Sequence, residues 1–573
     1  MIIRNIPERT FKKTKTILEI LTTKTGLLTI YLFFILGYCW IYAPYGLENN
    51  DGGFILGLSY QLSQGLVLYE EIINAKPPMS IIIHAINFLY PFDLAPILSS
   101  RIFFFFQIAV YSALTSVLFA RYFHFSHSGA LFLSIASFIF NAHNFPPMAW
   151  FTVDGIFFSI IAIYFAATFT NDRKILRGLL AFVFAYAAAM SKQPFYITPI
   201  VIAFLMLYPA PKRYVALTLA CSFTGGLLIY LFITSMLDVT LMYEAIYFQH
   251  SKEGLISSGI IDYIMDWLDL RTILTAGPLA AALLFWNYTR LKEKKLEKAH
   301  YLGLFLVLSI IVYMASILQI FMAANKHTYP TMLIDSVFTV TAVISLLNMV
   351  KTKDHAWVVL TAMHAISWAA SISWGYRTTA LFSSPSLIVT ALALHNVFEG
   401  HRLVRFGPFV AITTILVILY AGNQFLYSFE GSVRRQEASV RIDNEFPSLY
   451  GIMVTEQQAA ALRELALLKN ELPDDIIVVP NWPLYNVIFG GSNPIGMDWL
   501  INSDVGPYGQ LVKDRIERVT HALVFRDAPS SPVEGIFGSR LTQWIVLNWE
   551  FHDRKTKYFD VYENPSYTRR YGQ

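Results

Sequence analysis

Six short polar segments interrupt an otherwise apolar chain. They are Glu48-Asn49-Asn50-Asp51-Gly52-Gly53, Asn74-Ala75-Lys76-Pro77-Pro78-Met79, Trp150-Phe151-Thr152-Val153-Asp154-Gly155, Ser191-Lys192-Gln193-Pro194, Asn325-Lys326-His327-Thr328-Tyr329-Pro330 and Trp374-Gly375-Tyr376-Arg377-Thr378-Thr379. Between them they offer two aspartates, Asp51 and Asp154, and four cations, Lys76, Lys192, Lys326 and Arg377. Cations can hold a phosphate at an interface and stabilise it as a leaving group. A carboxylate can take the proton of an attacking hydroxyl. Taken singly, each residue also has an ordinary structural role. Asp51 and Asp154 suit helix N-caps. Lys76 can lay its stem on apolar surface and reach lipid headgroups. Trp150 beside an acid fits an aromatic belt. A buried Lys192 calls for an anionic partner.

Other chemistries lack support. Cys39 and Cys221 fall inside apolar runs and make neither a disulfide framework nor a zinc site. No His/Cys cluster has metal-ligand spacing, and no Gly-rich loop precedes a helix in the apolar part, so ATP and nucleotide-sugar sites are unsupported.

The elements that must carry these residues are membrane helices. Of the 573 residues, 55% are hydrophobic and 14% charged, against about 25% charged in soluble domains. Mean hydropathy is +0.49. Apolar runs near 26–46, 97–120, 127–146, 155–171, 177–191, 195–209, 214–234, 271–289, 301–323, 329–349, 355–373, 380–397 and 404–426 give about thirteen transmembrane helices. The pair 177–191 and 195–209 is short and reads as a broken span or two short spans. The basic N-terminus precedes a run with no cleavage site, which predicts a retained first helix. Connections 120–127, 170–177, 209–213, 290–298, 350–355 and 399–405 all carry Lys or Arg, which predicts a cytoplasmic N-terminus and puts the six polar segments on the outer face. Residues 51–66 read as an amphipathic helix with Phe54, Leu58, Leu62 and Leu66 near one face. Residues 79–92 are too short to cross. Both are expected to lie on the membrane surface.

The expected fold is therefore a polytopic α-helical membrane protein with interfacial helices in its first outer loop and a small C-terminal extracytoplasmic α/β domain. The divisions fall at 1–25, 26–426 and 427–573. In the last segment, 455–470 has helical periodicity and 475–480, 522–526 and 557–562 read as strands.

The order Asn50-Asp51-Gly52, Gln64-Gly65, Tyr69, Lys76-Pro77-Pro78, Asp154 and Lys192-Gln193 resembles the opening of the C-type membrane glycosyltransferases. Within them it is most similar to the protein O-mannosyltransferase-like and lipid A aminoarabinose-transferase-like group. The resemblance is good over about the first 210 residues and extends to the later helices only in general layout. It implies transfer of a sugar from a polyprenyl-phosphate donor to a lipid, glycan or protein acceptor on the outer face of the cytoplasmic membrane. It implies that Asp51 is the general base, that Asp154 is a second essential acid, and that Lys76 contacts the carrier phosphate. Lys192, Gln193, Lys326, His327, Tyr329, Tyr376 and Arg377 are candidate phosphate or sugar contacts; 326–330 matches the family's later outer loop only loosely. Some branches of the superfamily need a divalent cation and others do not, so that cofactor stays open. Membrane lipids are partners and nucleic acid is not. The terminal domain is expected to shape acceptor access.

Two other readings compete. A transporter or lipid flippase should show internal repeats and broken polar helices at the midplane, whereas the ionisable residues here favour helix ends. An O-antigen polymerase- or ligase-like enzyme would concentrate its key residues in one long late loop.

Overall fold

The computed structural model describes residues 23–47, 51–142, 147–169, 173–208, 211–247, 257–292, 299–323, 331–372, 382–398, 414–415, 425, 434–472, 475–480, 482–497, 499–500, 505, 508–526, 539–554 and 556–566. A helix occupies every predicted span as far as residue 397. In chain order these are α1 (Lys24–Tyr42), α4 (Pro96–Tyr122), α5 (His127–Ala142), α6 (Phe151–Ala167), α7 (Lys174–Ala189), α8 (Thr198–Leu207), α9 (Pro211–Thr234), α11 (Leu270–Leu291), α12 (Ala299–Ala323), α13 (Thr331–Thr352), α14 (His355–Ser371) and α15 (Ser384–Val397). The last predicted span, 404–426, lies outside the described residues apart from isolated positions.

Among the described residues four helices are long and apolar enough to cross a bilayer alone: Lys24–Tyr42, Pro96–Tyr122, Arg213–Thr234 and Ile334–Thr352. A fifth crossing arises if Gly259–Leu268 and Leu270–Leu291, bent by 92°, count as one span. Several others are shorter apolar helices, His127–Ala142, Phe151–Ala167, Gln193–Leu207 and Ser384–Val397 among them. The chain is thus a multi-pass membrane protein. The short pair resolves into two helices, α7 and α8, packed side by side. Lys192 and a 3-10 turn at Gln193–Ile197 lie between them.

The bundle core is aromatic and aliphatic, with Phe104, Phe105, Phe138, Phe182, Trp286 and Trp357 fully enclosed. Gly155 matters to one contact. A β-carbon there would stand 2.1 Å from the Phe195 ring, so only glycine lets the turn after Lys192 close on α6.

The first connection differs from expectation. Helix α2 (Asp51–Ser63) forms where predicted, but Gly52 to Ser59 are all buried. It does not lie on a membrane surface with one face wet. The reason is the C-terminal unit, whose Leu462, Leu465, Tyr485 and Ile488 share a hydrophobic cluster with Phe54, Ile55 and Leu58. Helix α3 (Met79–His84) runs on as a 3-10 turn to Phe88 and is too short to span. Helix α10 (Val239–Tyr247) was not expected from the sequence.

The C-terminal unit is a small mixed sheet with helices. A two-residue pair, β1 (Val440–Arg441) and β2 (Met453–Val454), precedes α16 (Glu456–Glu471). Thr455 and Gln458 close a reciprocal capping box on α16. Strands β3 (Ile476–Val479), β4 (His521–Phe525), β5 (Glu550–His552) and β6 (Phe559–Glu563) order as β3-β4-β6-β5. The β3–β4 pair is parallel and the other pairs are antiparallel. Helices α17 (Tyr485–Phe489), α18 (Gly509–Ile516) and α19 (Arg540–Asn548) complete it. The three predicted strands and the predicted helix are all present.

This unit is stitched to the first connection. Gly46 N–H donates to Met453 O at 2.9 Å, and Met453 N–H to Pro44 O at 2.7 Å. Ile73 N–H donates to Gly496 O at 2.8 Å. The Arg515 guanidinium donates to the carbonyls of Glu71 at 2.8 Å and Glu70 at 2.9 Å. On the bundle side, buried Arg101 donates to Ala43 O, Tyr45 O and Gly46 O at 2.9, 3.1 and 2.7 Å.

Candidate active site

Beneath this domain the polar segments of three connections meet. Lys76 sits on a loop pinned by its own neighbours. The Tyr69 hydroxyl and the Asn74 amide both donate to Lys76 O, at 2.7 and 2.6 Å. Pro77 and Pro78 lead into α3, whose first N–H, at Met79, donates to Met190 O at 2.8 Å. The Lys76 side chain is 7% exposed. It does not snorkel to headgroups. Its Nζ lies 4.9 Å from the Phe54 ring centre, 5.1 Å from Phe151 and 6.0 Å from Trp499. Ring faces carry negative quadrupole density, and a desolvated ammonium beside them gains about 2 kcal/mol or more. The three rings come from α2, the start of α6 and the C-terminal domain.

Lys192, equally buried, donates from Nζ to Thr152 Oγ at 3.0 Å. Thr152 follows Phe151 directly, so the first turn of α6 supports both lysines. Gln193 Nε2 donates to Ala75 O at 3.4 Å, which ties the second lysine segment to the first.

Asp154 is on that same turn and fully buried. Its carboxylate does not cap α6. Oδ1 accepts from Gln107 Nε2 at 2.7 Å and meets His84 Nε2 at 3.2 Å. Oδ2 is buried with no hydrogen-bond partner among the described residues. Asp51 is the first residue of α2; its side chain lies outside the described residues, as do Lys326, His327, Tyr329, Tyr376 and Arg377. The structure therefore brings together Lys76, Lys192, Gln193 and Asp154.

Four contributors were not read as site residues from sequence. His84 and Gln107 each sit within apolar runs, MSIIIHAINF and FFFFQIAV, and a polar residue in such a run is itself a functional signal. Phe54 and Trp499 gave no signal, because an aromatic residue at a buried helix face or in a loop is most often packing. Among the described residues no three His, Cys, Asp or Glu side chains converge as a metal site would need.

An apolar groove of about 370 Å³ runs beside this cluster, lined by Tyr186, Met190, Gly226, Ile233, Val239 and Met242 among others. It reaches Met190, the residue that receives the Met79 hydrogen bond and stands two positions before Lys192.

No protein-family model matches the chain, and no curated protein matches it in sequence. Solved structures do match it over most of its length at low identity. ArnT from Cupriavidus metallidurans in the apo state is 11% identical over 95% of this chain and 98% of that one, with a TM-score of 0.44. The same protein bound to undecaprenyl phosphate gives 10%, 94%, 98% and 0.45. The archaeal oligosaccharyltransferase AglB from Archaeoglobus fulgidus, in complex with an inhibitory peptide and a dolichol-phosphate, gives 12%, 94%, 74% and 0.46.

Proposed function

We propose that the protein is a membrane glycosyltransferase that moves a sugar from a polyprenyl-phosphate donor to an acceptor hydroxyl at the domain-bearing end of the bundle, outside the cytoplasm. One observation carries the reading. Two buried lysines and a buried aspartate, from three separate connections, converge beside an apolar groove. A lipid-linked phosphate ester has the matching chemistry, an anionic head and a long apolar tail. The motif order around Asp51, Lys76, Asp154 and Lys192 supports the same class.

In this mechanism the acceptor oxygen attacks the anomeric carbon and the bond from that carbon to the phosphate oxygen breaks. Its electron pair leaves with the carrier phosphate. Lys76 and Lys192 neutralise the charge that develops there. Asp51 takes the acceptor's proton. Asp154 orients the sugar, and Gln193 holds the Lys76 loop. Lys326, His327, Tyr329, Tyr376 and Arg377 are proposed as further phosphate or sugar contacts. The acceptor class, whether lipid, glycan or protein, follows from what the C-terminal domain admits.

The test is transfer by the purified full chain from a synthetic polyprenyl-phosphate sugar. Asp51→Asn should abolish transfer with the thermal midpoint unchanged; full activity in that variant would remove Asp51 as base. Labelling of a cysteine at residue 51 from the cytoplasmic side would overturn both the orientation and the reaction.

A further inference from the structure

The buried imidazole of His84 belongs to no step of the mechanism above, yet it touches the orphaned carboxylate. His84, Asn87, Gln107 and Asp154 form one enclosed network across α3, α4 and α6. Its proton positions follow from its geometry. Asn87 Nδ2 donates to the carbonyl of His84 at 2.9 Å. That bond fixes the amide, since an amide oxygen turned to a carbonyl oxygen would repel it. The same Nδ2 lies 3.3 Å from His84 Nδ1. An N–H facing Nδ1 requires a lone pair there, so Nδ1 carries no proton. The single ring proton is then on Nε2, where it points at Asp154 Oδ1. The Phe103 ring stands edge to face with the imidazole at 5.3 Å and 83°, which holds the ring plane.

Asp154 Oδ1 thus receives two N–H donors, from Gln107 and His84. Oδ2 is buried and has no partner among the described residues. We propose that His84 is a positioning residue: as an Nε2–H donor it acts with Gln107 to hold the Asp154 carboxyl oriented, so that Oδ2 stands ready to accept a hydrogen bond from a hydroxyl of the transferred sugar. The identity of that hydroxyl rests on the proposed transfer reaction. The state of the network itself does not.

The test uses the purified full chain and two readouts. The first is the infrared difference between the protein and its Asp154→Asn variant, which isolates the carboxylate bands of Asp154. In a His84→Leu background those bands should shift in position, because Oδ1 has lost one of its two N–H donors. The second is transfer kinetics. His84→Leu removes a hydrogen bond to the Asp154 carboxyl and should lower kcat by about ten- to a hundredfold with the donor KM little changed. His84→Gln, which keeps an N–H donor, should restore kcat to within roughly threefold. The proposal is overturned if the infrared bands do not respond to His84→Leu, or if His84→Gln is as impaired as His84→Leu while both melt like the parent. If His84→Leu fails to fold, His84→Phe, which fills the ring's volume without an N–H donor, decides by the same two readouts. If the bands respond as expected but the parent transfers no sugar from any polyprenyl-phosphate donor, the transfer reading fails and the network stands.

Discussion

Replacing Trp499 by alanine perturbs the one ring of the Lys76 cage that the C-terminal domain supplies. The ring centre lies 6.0 Å from Lys76 Nζ, at the edge of useful range, so its share of the cation–π energy is about 0.5–1 kcal/mol. It also packs edge-to-face on Phe54 at 5.2 Å and 61°, which is worth about 0.5–1.5 kcal/mol beyond area. Phe54 is itself the ring nearest the ammonium. Loss of both terms comes to about 1–2.5 kcal/mol, or roughly five- to seventyfold in affinity for a carrier phosphate held by Lys76. Trp499→Phe keeps a ring face and loses the fused five-membered ring with its N–H. That N–H is buried with no partner among the described residues, so losing the N–H itself should cost nothing in stability. Binding of a short-chain polyprenyl phosphate to the full chain, measured by microscale thermophoresis beside a thermal melt, reads out both effects. Trp499→Ala with affinity within twofold of the parent would refute the cage as an element of donor binding. Equal loss in Trp499→Phe and Trp499→Ala would show that the N–H, not the ring face, meets the ligand.

Three further outcomes follow. Thr152→Val removes the acceptor at 3.0 Å from Lys192 Nζ and should cost about 1.5–3 kcal/mol, seen as a lower thermal midpoint that Thr152→Ser restores; an unchanged midpoint would mean that Lys192 does not depend on this bond. Gly496 has φ +70°, and a β-carbon there would stand 2.1 Å from Glu71 O and 2.5 Å from Arg515 Nη1, so Gly496→Ala should cost roughly 2–4 kcal/mol and speed proteolytic release of the C-terminal domain; parental protease resistance would sink this. In the domain sheet, burial first of all pushes the His521 imidazole below its ordinary value, against the opposing charge of Glu563. The unfolded chain then binds more protons, so domain stability should be full above about pH 6.5 and fall as the pH drops below it; a melting curve as flat between about pH 5 and 7 in the parent as in His521→Gln would contradict it.

Much of the architecture was legible because apolar length and periodicity carry it directly. Helices such as Pro96–Tyr122 and Glu456–Glu471 stand where runs of the right length and phase predict them. The partial failures have a common cause, which is tertiary cover. Residues 51–63 do form a helix, yet its polar-looking side faces protein instead of water because a domain encoded four hundred residues later lies over it. No local pattern records that. Lys76, Lys192 and Asp154 were identifiable because charge is rare in this composition. His84 and Gln107 were visible only as lone polar letters in apolar runs. Trp499 was invisible, since its meaning comes wholly from which cation it faces.

The hydrogen bonds that tie Glu70, Glu71 and Ile73 to Arg515 and Gly496 also set an order of events. Arg515 and Glu71 are separated by 444 positions in the chain. During synthesis the loop bearing Lys76 emerges well before its roof. Until the terminal segment has been delivered to the same side of the membrane and has closed its sheet, Lys76 lacks one wall and the carbonyls of residues 70 and 71 lack their guanidinium. A chain stopped before residue 499 would therefore carry Lys76, Lys192 and Asp154 without the ring and the guanidinium that cover this end of the bundle.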